Sequence, residues 1–340
     1  MRPAETLRGI ASLNPCGPVL FDSQGLQLRS ELNQGSYWKH LHLWSCESGE
    51  YTPLVSRYPT TDMCNGALLE AFESTARASD VFCATAAKCG QTWLLTLIHH
   101  LRTRGQDPTL AGGDLLDLTP WLELPRKRPG DGQQPYQVQD RLSELEALPD
   151  PRVFKMHVLW EEIPRPAGSM SRVVTITRDP REVPYSMFRH AVGSRRGPDI
   201  ADDFGAYFER WMEFGYYFKV VRSFWPHRDD PSLLWLRYEE LQRDLEKEAW
   251  RLVQFLGWSV SAAEMAQVLP LVSFDHMRAT EDSKLRRDGE SFWKDGARFF
   301  REGGVGKNRS RLSDEQERRL VDRVRAEFEP DCCDFVLSLP

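Results

Sequence analysis

The stretch that decides the fold is Asp80-Val81-Phe82-Cys83-Ala84-Thr85-Ala86-Ala87-Lys88-Cys89-Gly90-Gln91-Thr92-Trp93-Leu94-Leu95-Thr96-Leu97-Ile98. It reads as a short apolar strand, a tight polar turn and a helix. Val81, Phe82 and Cys83 are strand-like and flanked by small residues. Thr92 and Trp93 open an apolar run with no breaker, which predicts a helix from about Gln91. Gly90 lets the backbone come close to a ligand. A strand that feeds a helix N-terminus through a Lys and Gly turn is built to hold an anion. The first backbone N–H groups there are unpaired, and the helix dipole favours negative charge. Lys88 adds a full positive charge. The order excludes a Walker A loop, which needs Gly, four residues, then Gly-Lys-Ser/Thr; here the lysine precedes the glycine. Taken alone, the stretch fits a strand–turn–helix with a solvated lysine equally well, so its meaning depends on the rest of the chain.

The bulk numbers narrow the classes. A length of 340 residues allows one large α/β domain or two ordinary ones, and 41% apolar content supports a real core. A net charge of −6 excludes a nucleic-acid binder for the chain as a whole. No window approaches the ~18 apolar residues of a membrane span. Residues 1–20 lack a cationic start followed by an apolar core, so no signal peptide is expected. The seven cysteines, Cys16, Cys46, Cys64, Cys83, Cys89, Cys332 and Cys333, are odd in number and form no Cys-x-x-Cys. Reduced thiols in a cytoplasmic protein are the expectation, with neither a structural zinc nor any other metal cluster.

Three further segments carry chemistry. Pro151-Arg152-Val153-Phe154-Lys155-Met156-His157 reads as a buried strand with His157 at its C-terminal end, where open parallel sheets gather their ligands. A lone histidine after a strand is more often a satisfied loop residue than a base. Beside Lys155 and downstream of the Lys88 turn, the base becomes the better reading. Val173-Val174-Thr175-Ile176-Thr177 is the clearest strand; Asp179 can cap and Pro180 can open the helix after it, which should run to about Ala191. Arg178 stands at the strand exit and Ser186 eight residues later, and a guanidinium fork with a hydroxyl makes a good phosphate site. Between residues 284 and 311, nine basic residues face four acidic ones, a local +5 that would concentrate a polyanion over a cleft.

The remaining elements read as scaffold. Short helices are expected over 65–76 and 142–148. Residues 204–225 should form one long helix whose aromatics recur every three or four residues for core packing. Ser232 to Tyr238 is a strand, followed by a helix over 239–256 that Gly257 stops. The final helix is expected over 314–328, with Ser313 as N-cap. Residues 36–44 are aromatic-rich, a strand pair or part of a pocket, with ordinary packing favoured. Residues 127–136 are polar and glycine-rich, a candidate lid.

In order, these segments resemble the soluble sulfotransferases that use 3′-phosphoadenosine 5′-phosphosulfate (PAPS). Lys88-Cys89-Gly90-Gln91-Thr92-Trp93 resembles the family's Lys-Ser/Ala-Gly-Thr-Thr-Trp loop, which implies that these six residues hold the 5′-phosphosulfate. Pro120-Trp121-Leu122-Glu123 resembles a Pro-aromatic-Leu-Glu turn of the same family. The segment ending at His157 resembles the one whose histidine is the catalytic base, with Met156 where the family has a hydroxyl residue. Arg178 through Ser186 resembles the motif that grips the 3′-phosphate. Tyr238 matches an adenine contact, and Ser273-Phe274 an element whose ring stacks on adenine. Arg301-Glu302-Gly303 resembles the loop that completes the 3′-phosphate site, with Glu302 where the family has Lys and Asn308 where it has Trp. The family's dimer motif is degraded around Arg309, Ser313, Asp314 and Arg318, which implies a monomer or a different dimer.

The resemblance implies an α/β fold, a P-loop-like parallel sheet flanked by helices on both faces, over 80–340. Residues 1–79 would be an N-terminal extension packed on it. It implies a PAPS-dependent sulfotransferase acting on a small-molecule hydroxyl or amine, with PAP as product, no metal, and neither nucleic acid nor membrane as partner. His157 would be the base, Lys88 would stabilise charge on the leaving phosphate oxygen with Lys155 supporting the equatorial oxygens, and Ser186 would bind the 3′-phosphate and hold Lys88 until an acceptor arrives. Two other classes stay open: a PAPS/PAP-binding protein with impaired catalysis, motivated by Ala86-Ala87, Met156 and Glu302, and, further off, a P-loop phosphotransferase.

Overall fold

The computed structural model describes residues 65–107, 115–124, 137–194, 203–287, 293–294 and 296–337, with the backbone alone for 282–287. The readings made on residues 36–44 and 127–136, and on Cys16, Cys46 and Cys64, lie outside these residues.

Four strands, β1 (Val81–Ala84), β2 (Val153–Met156), β3 (Arg172–Thr177) and β4 (Leu233–Arg237), form one parallel sheet in the order β2-β1-β3-β4. Nearly every strand residue is buried, as expected for a sheet covered on both sides. Alternate side chains divide between two cores. Phe82, Phe154, Val173, Leu233 and Trp235 enter one, and Val81, Cys83, Val153, Val174, Ile176, Leu234 and Leu236 enter the other. The register keeps partners on the same face, with Phe82 opposite Phe154 and Val173.

In chain order the helices are α1 (Gly66–Glu73), α2 (Gln91–Thr103), α3 (Leu115–Leu118), α4 (Val138–Glu146), α5 (Val183–Gly193), α6 (Phe204–Phe214) and α7 (Tyr216–Phe224). They continue as α8 (Tyr238–Arg243), α9 (Leu245–Leu256), α10 (Ala262–Leu271), α11 (Phe274–Arg287), α12 (Asp314–Glu327) and α13 (Pro330–Val336). The first core takes Leu68, Leu69 and Phe72 from α1, Phe218 and Phe224 from α7, and Leu320 and Val336 from α12 and α13. The second takes Leu94 to Ile98 from α2, Leu252 from α9 and Val268 from α10. This is the parallel α/β sheet with helices on both faces that the sequence predicts.

Several element boundaries differ from expectation. The long helix expected over 204–225 is two helices. Gly215, at φ 61°, ends α6 in the left-handed region, and α7 restarts at once. The helix expected over 239–256 also breaks, at Asp244, whose carboxylate accepts from Lys247 N and caps α9. The helix expected over 142–148 begins four residues earlier. The helix over 314–327 is not the last: Pro330 opens α13, which closes the first core with Cys332 and Cys333.

The starts of β1 and β2 are locked by a buried ion pair. Asp80 and Arg152 are both fully buried. Arg152 Nε and Nη2 donate to the two Asp80 oxygens at 2.7 and 2.6 Å. Arg152 also donates to Thr75 O and Leu145 O, while Arg77 N donates to Asp80. The pair thus ties α1 and α4 to the ends of β1 and β2. Removing one partner leaves a bare charge in the core. Asp80→Ala should therefore lose about 3–5 kcal/mol of stability in urea unfolding. A loss below about 1 kcal/mol, the scale of a surface pair, would contradict this account.

Candidate active site

All four strands point their C-terminal ends the same way, and the next residues in each connection are chemical: the Lys88 turn after β1, His157 after β2, Arg178 after β3 and Tyr238 after β4. The turn is wound tightly. Lys88 sits at φ 67°, a conformation that costs a non-glycine residue about 1–3 kcal/mol and concentrates at functional sites. Gly90 sits at φ 104°, and a Cβ there would lie 2.7 Å from Tyr238 Cδ2. No side chain caps the N-terminus of α2, so its first N–H groups face the turn as an anion cradle. Gln91 donates to Cys83 O at 2.8 Å and Met156 O at 2.7 Å, binding the turn to two strand ends. Trp93 donates to Val272 O at 2.8 Å and lays its ring edge-on to Tyr238. Cys89 is fully buried in the first core, so it offers the site backbone rather than its thiol. Thr92, half-buried, lies in the first turn of α2.

His157 is held from three sides. Its Nδ1 is 2.7 Å from Thr85 O. A carbonyl only accepts, so Nδ1 carries the proton and Nε2 the lone pair. Its backbone N donates to Glu123 Oε1 at 2.5 Å, and Tyr216 donates to its carbonyl at 2.7 Å. Burial, then Lys155 and Lys88, press its pKa down to about 3. Burial raises Glu123 to about 7. Lys155 Nζ lies 3.7 Å over the Trp121 ring, and Trp121 meets the His157 ring edge-on at 5.0 Å. The 120–123 turn therefore forms one wall of the site. Its likeness to a family motif was legible, but the part Glu123 plays was not, because it depends on a backbone contact 34 residues away.

Positive charge converges on Lys88. Burial lowers its pKa well below the usual value, and Arg301, Arg178 and Lys155 push it the same way, opposed by Glu281. Its Nζ is 3.4 Å from His190 Nδ1 and 4.0 Å from the Phe299 ring centre. Arg178 is buried. It donates to Glu182 Oε2 at 2.8 Å and Gly304 O at 3.3 Å, and its guanidinium lies 4.3 Å over the Tyr238 ring. Its Nε is buried without a hydrogen-bond partner. Glu182 also accepts from Arg309 N at 3.1 Å, which fixes the glycine loop against the exit of β3. Ser186 is buried on α5, one turn before His190 on the same side.

Beyond the exit of β3, the head of α11 packs against the glycine loop. Gly303 has φ 63°, and a Cβ there would meet the Phe274 ring at 2.9 Å. Ser273 spends its hydroxyl on Pro270 O and His276 N at the head of α11. Arg301 is half-buried with Arg189, Arg178 and Glu302 in its field. The Glu302 side chain is exposed, and its carbonyl accepts from Lys307 Nζ. The structure thus brings Lys88, Lys155, His157, Arg178 and Arg301 into one electrostatic cluster. Glu302 stands at its rim. Sequence reasoning missed His190 and Glu182, because helix periodicity places a residue on a face without naming what lies opposite. Among the described residues, no group of three or more His, Cys, Asp or Glu side chains could hold a metal ion.

A parallel sheet that gathers four cations, a neutral imidazole and an uncapped helix head beyond its strand ends defines an anion-binding α/β protein. Comparison with known proteins sharpens this. The family model of the sulfotransferase domain matches residues 78–329. The chain is 30% identical over 208 residues to Sulfotransferase 4A1 of Homo sapiens, covering 59% of this chain and 68% of that protein. It is 25% identical over 270 residues to the amine sulfotransferase of Oryctolagus cuniculus, covering 77% and 83%. Mouse sulfotransferase SULT7A1, solved in complex with PAP, shares the fold with a TM-score of 0.63 at 24% identity, covering 81% of this chain and 94% of that one. Retinol dehydratase, solved with retinol and PAP, gives 0.62 at 22%, covering 75% and 82%. The chain belongs to the sulfotransferase domain family. No helix among the described residues is long and apolar enough to cross a membrane.

The state of His157 has a measurable consequence. Its pKa falls from about 6.5 in the unfolded chain to about 3 in the folded one. The unfolded chain takes the proton first, so the stability from this residue is full above pH 6.5 and is lost as pH falls toward 3. In NMR of the free protein, the His157 ring should stay neutral, with its proton on Nδ1, from pH 8 to pH 5. A midpoint near 6.5 would contradict the site geometry.

Proposed function

We propose that this chain transfers a sulfuryl group from PAPS to the hydroxyl of a small-molecule acceptor. The observation that carries this reading is the left-handed Lys88 turn at the head of α2, in the field of Lys155, Arg178 and Arg301 and beside a His157 whose Nε2 is the basic nitrogen. PAP is the ligand in the solved mouse SULT7A1 structure, and the residues here fit that nucleotide. The buried, unpartnered Arg178 Nε, with Ser186, Arg301 and the Gly303 backbone, suits a 3′-phosphate. The uncapped start of α2, residues 88–93, suits the 5′-phosphosulfate. Phe274 and Tyr238 offer rings for adenine, Phe274 against Gly303 and Tyr238 against Trp93.

His157 Nε2 takes the acceptor proton as the acceptor oxygen bonds to sulfur. The bond between sulfur and the phosphate oxygen breaks, and Lys88 stabilises the charge left on that oxygen. Lys155 supports the transferred group. The negative charge of the donor offsets Lys88 and Lys155, the two cations that depress His157, and so strengthens the base when it is needed. The same cations disfavour a protonated amine as acceptor, which is why a hydroxyl is the primary proposal. The degraded dimer motif supports a monomer or a different dimer, and the scattered cysteines a cytoplasmic protein.

The second reading is a PAP-binding protein that does not transfer. It is favoured by the exposed Glu302 where the family has a lysine, and by Met156, whose side chain is buried in the first core. Calorimetry with PAP, beside a turnover assay over an acceptor library read by mass spectrometry, separates the two. Transfer to any acceptor supports the enzyme, and binding alone supports the module.

His157→Ala should abolish transfer and leave PAP affinity within about threefold; normal turnover in this variant refutes the base assignment. Arg178→Ala should weaken PAP binding by about 1.5–3 kcal/mol, the scale of a charged hydrogen bond. Equal affinity in variant and parent would place the 3′-phosphate elsewhere.

A further inference from the structure

The roles above leave out a second imidazole in the same cluster. His190 lies on α5, four residues after Ser186. Its Nδ1 is 3.4 Å from Lys88 Nζ. Its ring meets Trp293 and Phe299 edge-on, with centroids 4.9 and 5.7 Å apart. Lys88 Nζ stands 4.0 Å over that same Phe299 ring. One ammonium is thus seated between a ring nitrogen and an aromatic face. With Lys88 charged, its ammonium only donates, so His190 Nδ1 accepts and the ring proton is on Nε2.

We propose that His190 is a positioning residue for Lys88: its Nδ1 accepts from the ammonium, keeps that lysine charged inside a cationic pocket and aims it at the leaving oxygen. The proposal deepens the sulfotransferase reading and rests on it for the role of Lys88.

The need for such a partner follows from the surroundings. Lys88 faces Arg301, Arg178 and Lys155, with Glu281 opposing them, and its proton is held loosely. A neutral lysine could not stabilise charge on a leaving oxygen. His190 faces Lys88, Lys155, Arg301 and His157, and these with burial keep it uncharged, the form that accepts. The ordinary values are 10.5 for lysine and 6.5 for histidine. The same cations depress both groups, and the greater ordinary basicity of an amine over an imidazole favours the proton on Lys88. An apolar ring in place of His190 would preserve packing against Trp293 and Phe299 but would remove the acceptor.

The test compares His190→Phe and His190→Leu with His190→Asn, whose amide oxygen replaces Nδ1. Two readouts are taken: the Lys88 titration from 13Cε NMR of the free protein, assigned with Lys88→Arg, and kcat against pH at saturating PAPS. In both apolar variants the Lys88 midpoint should fall by about one pH unit or more, the reach of a charge-assisted hydrogen bond. The alkaline limb of kcat should fall with it, lowering kcat about tenfold at the pH of that limb, while PAP affinity stays within about threefold. His190→Asn should restore most of both. An unchanged Lys88 midpoint in the apolar variants overturns the proposal. So does a lower kcat with neither a pH shift nor rescue by asparagine, which would reduce His190 to packing. A parent protein that transfers no sulfuryl group, yet shows the shifted Lys88 midpoint in the variants, overturns the sulfotransferase reading and leaves the pairing intact.

Discussion

Everything in this molecule is arranged around mutual repulsion among like charges. Arg301, Arg178 and Lys155 all act on Lys88 at the end of a buried sheet, and Arg178 also acts on Arg301 although Glu182 pairs with it. Glu281 raises the Lys88 pKa, and its two oxygens are engaged by Phe299 N and Phe300 N. Such a cluster is unfavourable alone and becomes favourable around a polyanion. The sheet, the helix heads and the Asp80–Arg152 lock are what hold it in place.

The topology explains how so few residues suffice. A parallel sheet sends every strand end to the same edge, so four connections spaced along the chain deliver side chains to one place. The turn after β1 supplies a lysine and an open helix head, β2 an imidazole, β3 a guanidinium and β4 an aromatic ring. Buried polar contacts then fix each piece. Gln91 joins the turn to β1 and β2, Glu123 and Thr85 hold His157, and Glu182 joins β3 to the glycine loop. The ring orientation of His157 and its low pKa come from the same packing, so base strength and binding charge are coupled.

Much of this was legible from residue order, and the parts that were not share a cause. Lys88, His157 and Arg178 are readable because each follows an apolar strand, and strand ends in a parallel sheet are functional positions by geometry. The break at Gly215 was not readable, because the aromatic spacing continues across it; what ends α6 is one backbone angle. Asp244 was hidden in the same way inside a helix-like run. Glu123, Glu182 and His190 take their meaning from partners 34 to 127 residues away, and no local pattern encodes that. The helix over 330–336 escaped notice, although proline at a helix start is a recognised signal.

The central claim is that one pocket recognises both ends of a doubly phosphorylated adenosine. Calorimetric titration of the parent protein with PAP, and separately with adenosine 5′-phosphosulfate, tests it most directly. The account predicts one PAP per chain, and binding at least about tenfold weaker for the ligand lacking the 3′-phosphate, the value of one charged contact. Equal affinities for the two ligands, or no PAP binding at millimolar concentration, would contradict it.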